Sequence, residues 1–202
     1  MGVAGAMRAG AGLACAGPVL AIAVALSGHS DADSGQPPPP LPTFTPTPTD
    51  WSPNYQIWPY NTFTYQVTPE MTRGMSDACQ WFKARFDALM GQIQEFDRAL
   101  GDQHDDYSAN GLQRHADAVV ANIDQSTAFL APRTKPLTIT NKPDNFGPYS
   151  PIYGGEAITK LTFQLSRIGE SIKRKEPSGV THANIVAAAG WADSLRNSGA
   201  CD

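Results

Sequence analysis

Along 69–101, apolar residues recur at Met75, Cys79, Phe82, Phe86, Leu89, Ile93, Phe96 and Leu100. The steps alternate between four and three. That spacing keeps one face of a helix apolar through more than three heptads, and no strand can use it. Thr68 is a good N-cap and Pro69 suits the first helical position. A second helix is predicted over 108–130, with Leu112, Ala116, Val119, Ile123, Thr127 and Leu130 on its face, Ser108 as its cap and Pro132 as its stop. A third spans 156–175 through Ile158, Leu161, Leu165, Ile168 and Ile172. A fourth, capped by Thr181 and ended by Gly199, runs over 181–197 through Ile185, Ala188, Ala192 and Leu195. Four amphipathic helices predict an all-α fold, an antiparallel four-helix bundle in up-down-up-down order.

Three stretches break the pattern. Residues 31–50 contain Pro37 to Pro40 and then Thr alternating with Pro, which reads as a disordered linker or stalk with no means of burying a core. Thr alternating with Pro is also the composition of O-glycosylated stalks. Residues 51–67 are an aromatic leader to the helical domain of 51–202. It carries Trp51, Tyr55, Trp58, Tyr60, Phe63 and Tyr65, while Pro53 and Pro59 exclude a helix. The segment is predicted to be extended, with a short strand conceivable at 60–67. Its rings either cover the bundle or form an exposed platform for a partner, a glycan or a lipid. The third stretch, 131–155, is long for a plain connection and holds Pro132, Pro136, Pro143, Pro148 and Pro151. Ile139, Phe146, Tyr149, Ile152 and Tyr153 give it apolar mass to lie on the bundle.

The first 30 residues change the compartment. Arg8, an apolar run from Leu13 to Leu26 and small residues after it follow the pattern of a secretory signal. Read back to residue 9, residues 9–27 also approach the length of an uncleaved membrane anchor. Export makes the cysteines legible. With Cys15 inside the signal, Cys79 and Cys201 remain, and in an oxidising compartment two cysteines form one disulfide. An antiparallel bundle brings the start of its first helix and the end of its fourth to the same end, as such a bond requires.

Charge and motifs exclude more than they identify. With 15 basic and 19 acidic residues, the chain offers no basic patch for nucleic acid. Asp106, Ser108, Asn110, Gly111 and Asp117 occupy positions 1, 3, 5, 6 and 12 of a calcium loop. Arg114 at the water-bridging position, and Asp117 in place of a longer bidentate Glu, favour an acidic interhelical turn instead. No metal is therefore expected. His104, His115 and His182 are scattered, without a helical His pair. Tyr149, Tyr153 and His182 would serve a flat ligand such as haem only if the loop met the fourth helix. Gly154-Gly155 lacks the lysine of a phosphate loop, and no nucleophile elbow is present.

These readings predict an exported, non-enzymatic cell-envelope protein without a cofactor. It acts by binding a protein or another envelope component, and it touches a membrane only through its N-terminal segment if that is retained. The alternative is an extracytoplasmic carrier of an apolar small ligand such as haem or lipid, for which a cavity between the helices would be the sign.

Overall fold

The computed structural model describes residues 36–139 and 149–202. The expected signal or anchor at 1–30, its 9–27 span and Cys15 lie outside the described residues. So do the first positions of the linker and, in the loop, Pro143, Phe146 and Pro148. The protein is all-helical: α1 (Pro69–Asp102), α2 (Leu112–Thr134), α3 (Gly155–Lys173) and α4 (Ser178–Ser198) form a helical bundle. Among the described residues there is no strand, only an isolated bridge between Ile139 and Tyr149. None of the described helices is long and apolar enough to cross a membrane.

α1 starts as its sequence dictates. The Thr68 hydroxyl accepts from Met71 N at 3.2 Å, and Pro69 follows in the first helical position. Every position of the four-three seam is buried. The buried face is wider than the seam, because Met71, Gly74, Ala78, Trp81, Met90 and Ala99 are buried too. α1 packs on α2 and α4, α2 on α3, and α3 on α4. Gly74 marks a close approach of α1 and α2, since a Cβ there would stand 2.3 Å from Arg133 O.

The helix ends depart from expectation for local reasons. Asn110 (φ 42°) and Gly111 (φ 78°) adopt left-handed backbone, so α2 begins at Leu112 behind a separate 3-10 turn, Ala109–Gly111. Ser108 does not cap α2. Its N–H and hydroxyl instead donate to Asp106 at 2.9 and 2.6 Å. Pro132 does not stop α2, which continues to Thr134. The added turn is held by Arg133, whose Nε pairs with Asp77 at 3.0 Å and whose Nη1 donates to Phe129 O at 2.8 Å.

Thr181 does not cap α4 either. It is fully buried inside the helix, which starts one turn earlier at Ser178. The capping acceptor comes from another part of the chain, with Ser178 N donating to Asp105 Oδ1 at 2.8 Å. The hydrogen bonds from Ser178 lower the Asp105 pKa, as expected for a carboxylate that accepts N–H groups. Gly199 ends α4 at φ 64°. The tail then closes on α1 through the Cys79–Cys201 disulfide, across a Cα separation of 5.1 Å. Asp202 pairs with Lys83 at 3.3 Å in the open.

Candidate interaction surface

The three stretches without helical pattern are built together onto the outside of the bundle. Residues 36–50 do not follow the disordered course expected of a linker. They run as an extended strap across α1 and α2, fixed by carboxamide side chains that read its backbone. Asn122 Oδ1 accepts from Leu41 N at 2.9 Å, and Asn122 Nδ2 donates to Pro39 O at 3.1 Å. Gln92 donates to the same carbonyl at 3.1 Å. Farther along, Gln80 grips Thr47 from both sides, accepting from its N–H at 2.9 Å and donating to its C=O at 3.0 Å. A proline-rich chain lacks the donors to form a ladder, so amides on the helices must supply its partners. Leu41 is buried beneath it, and Phe44 packs edge-on against Phe129 at 5.2 Å. A cavity of about 150 Å³ remains between the strap and Trp81, Arg85 and Phe129.

The aromatic segment continues the strap. In place of an extended chain or strand, its second half forms two 3-10 turns, Tyr60–Thr62 and Thr64–Gln66. Six rings were grouped by sequence, and the structure divides them. Trp51 packs against the core and its indole donates to Ala200 O at 3.3 Å, beside the disulfide. Tyr60 meets Tyr153 edge-on at 5.1 Å, and Phe63 meets Tyr149 at 5.1 Å. The aromatic segment and the proline-rich loop therefore pack on each other. Tyr149 also donates its hydroxyl to Gln66 Oε1. Burial, Glu156 and Tyr153 raise the Tyr60 pKa. Tyr55 is at the edge of exposure, whereas Trp58 is 78% and Tyr65 81% exposed. Gln66 Nε2 donates to Tyr65 OH at 2.8 Å, so the phenol retains its own proton for a partner.

The remaining candidates are placed as follows. Asp106 accepts from Ser108, Asp117 accepts from Gln113 at 2.8 Å, and Asn110 donates toward Gln103 at 3.5 Å. The Asp106 and Asp117 carboxylates of the calcium-loop pattern are thus turned to protein donors, Ser108 and Asn110 act as donors themselves, and Asp117 lies in the second turn of α2. Among the described residues no group of three or more His, Cys, Asp or Glu could hold a metal ion. His182 pairs with Asp97 at 2.9 Å near the end of α1, far along the bundle from Tyr149 and Tyr153 at its other end, so no flat-ligand site forms from them. His115 is buried with its ring against Phe96. The double glycine serves packing. A Cβ on Gly154 would stand 2.4 Å from that of Ala200, and one on Gly155 would stand 2.2 Å from Ser150 Oγ.

The strap's amide clamp was missed by sequence reasoning. Gln80, Gln92 and Asn122 look like ordinary polar positions, and only the burial of Asn122 on the core side of α2 distinguishes it. No family model matches the chain, and no curated protein or solved structure matches it either.

Proposed function

We propose that this is an exported, non-enzymatic cell-envelope protein that binds a protein or another envelope component through the aromatic face around Trp58 and Tyr65. The scaffold is an antiparallel up-down-up-down bundle with the proline-rich loop between α2 and α3. Cross-helix pairs support that order. Cys79, Asp87 and Asp97 of α1 meet Cys201, Arg196 and His182 in turn, so the two run in opposite directions. Asp124 and Thr134 of α2 likewise meet Lys173 and Thr159 of α3.

The observation that carries the binding reading is the division among the rings. Trp51, Tyr60 and Phe63 are spent on packing, and they hold a short segment from which Trp58 and Tyr65 project almost fully into solvent. Large exposed rings on a supported backbone are the usual anchors of an interface, because they bury much area at little entropic cost. The carrier alternative has less behind it. Leu89, Ile93, Phe96, Ile123, Ile158 and Leu165 fill the space between the helices at 0% exposure. The larger cavity, about 550 Å³, lies outside, between the strap and the start of α1.

Photo-crosslinking in the native envelope tests the proposal. A crosslinker at position 58 or 65 captures one defined component, and the capture is lost in Trp58→Ala/Tyr65→Ala. A crosslinker at position 163, where Phe163 is 56% exposed on α3, serves as control. Identical capture from both faces, or none from 58 and 65, removes the reading. Fractionation of the same cells tests export.

A further inference from the structure

We propose that Thr45 is a modification site, the acceptor of an O-linked sugar transferred from a glycosyl phosphate donor. The inference rests on the export reading above, since sugar transfer to Thr/Pro-rich chains is chemistry of exported segments. Composition alone offers four equivalent acceptors, Thr43, Thr45, Thr47 and Thr49, each beside a proline or one residue from it. The structure makes them unequal. The Thr47 hydroxyl donates to Gln80 Oε1 at 3.2 Å, and that residue's backbone is gripped by the same amide. The Thr49 hydroxyl lies 3.3 Å from Ser76 Oγ and accepts from Trp51 N at 3.0 Å. The Thr43 hydroxyl faces Gln125 Nε2 at 3.5 Å. A sugar on Thr47 would remove the proton its hydroxyl gives Gln80, and one on Thr49 or Thr43 would be built on an oxygen already facing Ser76 or Gln125 of the helices.

Thr45 differs. It is exposed and has no hydrogen-bond partner among the described residues. Thr43 and Phe44 line one cavity under the strap, and Pro46 and Thr47 line the next; Thr45 lines neither and stands on the crest between them. The chain on both sides is extended and makes no backbone–backbone hydrogen bonds among the described residues. Between the Asn122-held Leu41 and the Gln80-gripped Thr47, the backbone of Thr43 to Pro46 makes no hydrogen bond among the described residues, so this short stretch is open to a transferase that reads an extended acceptor. In the transfer, Thr45 Oγ attacks the anomeric carbon and a new C–O bond forms. The bond from that carbon to the phosphate oxygen breaks, and the phosphate leaves with the electron pair. The hydroxyl proton passes to a base of the transferase.

The test is intact-mass measurement and site-localising fragmentation of the full chain, purified from envelope and cytosolic fractions of the cells that carry it. The expected result is one or more hexose units on Thr45. Thr45→Ala abolishes the modification, and Thr45→Ser, Thr47→Ala and Thr49→Ala retain it. Thr45→Ala melts as the parent does, because the hydroxyl holds nothing. A chain in the envelope with Thr45 unmodified overturns the site and leaves export standing. An unmodified chain found only in the cytosol overturns both. Sugar spread equally over the four threonines, or phosphate in place of sugar at Thr45, also overturns it.

Discussion

The bundle interior and the strap are held by different physics. Inside, Phe96, Ile93, Leu89 and their neighbours are excluded from water and held by non-directional packing, so each position is supported by many others. Across α1 and α2, the strap is held by a few directional bonds from Asn122, Gln92 and Gln80, with Leu41 as its buried apolar anchor. Regions of the first kind open only with global unfolding. Regions of the second kind open locally, at lower free energy. The bundle therefore sets whether the protein folds, and the strap sets whether its outer segments stay in place. The exposed rings belong to the second regime, since the segment that bears them is tied by Trp51 at one end and the proline-rich loop at the other.

The largest effect belongs to the interior. Phe96 is fully buried and its ring meets those of Tyr107 and His115 at 6.0 and 5.5 Å. Phe96→Ala removes the ring and leaves a cavity, at a cost of about 3–5 kcal/mol. The denaturant midpoint falls with an unchanged slope, and exchange protection falls alike in all four helices. A loss confined to the α1–α2 turn would show that the interior is not one cooperative unit.

Next comes the disulfide, where the two regimes meet. Cys79 and Cys201 are 122 residues apart, and removing so long a closure costs about 2–5 kcal/mol. Ala200 O, next to Cys201, also receives the Trp51 indole. Cys79→Ser/Cys201→Ser thus lowers the denaturant midpoint and, unlike Phe96→Ala, preferentially unprotects residues near Trp51 under native conditions. If strap and bundle lose protection in equal measure, the tail does not tie them together.

What was legible in the chain follows the same division. The seam of α1, the faces of α3 and α4, the Gly199 terminator and the cysteine pair could be read because periodicity, a helix-ending glycine and a pair of cysteines are local or compositional signals. The caps of α2 and α4 could not. Asp105 acts on Ser178 from 73 residues away, and no window of sequence contains both. The course of the strap is not legible in the chain because proline-rich composition reports what a chain cannot do for itself. It is silent on whether another element will supply hydrogen bonds, as Asn122 and Gln80 do. The aromatic segment stands out in composition, but which rings pack and which project depends on Tyr149 and Tyr153, far downstream of it in the chain.

A smaller effect separates the strap from the bundle. Asn122→Ala removes the acceptor for Leu41 N and a donor to Pro39 O, both in a partly or fully buried setting. Leaving such groups without partners costs about 1–3 kcal/mol. Most of that cost is avoided if the strap lifts and takes water in place of the amide. The expected result is rapid amide exchange and proteolytic cutting within 36–50, with α1 to α4 still protected. Equal loss of protection in strap and helices would make the strap part of the core and erase the contrast.

The smallest effect is read most clearly at alkaline pH. Tyr107 sits in the turn between α1 and α2, buried, with its hydroxyl donating to Glu176 O at 2.9 Å. Burial first, then the charges of Asp105, Glu176 and Asp97, push its pKa up to about 12. An ordinary tyrosine, and Tyr107 in the unfolded chain, ionises near ~10. A folded pKa above the unfolded one means that the folded state holds the proton more tightly. The associated stability is complete below about 10 and is lost as pH rises through about 12. Ultraviolet titration of phenolate, followed alongside helicity, should show one tyrosine ionising last, together with loss of helix, and Tyr107→Phe should remove that final step. At neutral pH the same substitution costs only about 0.5–1.5 kcal/mol, for one hydrogen bond. If Tyr107 ionises at the pH of an ordinary tyrosine, the turn is open to water. The junction that supplies Asp105 to the start of α4 would then belong to the loosely held exterior, and the boundary between the two regimes would run through the end of the bundle.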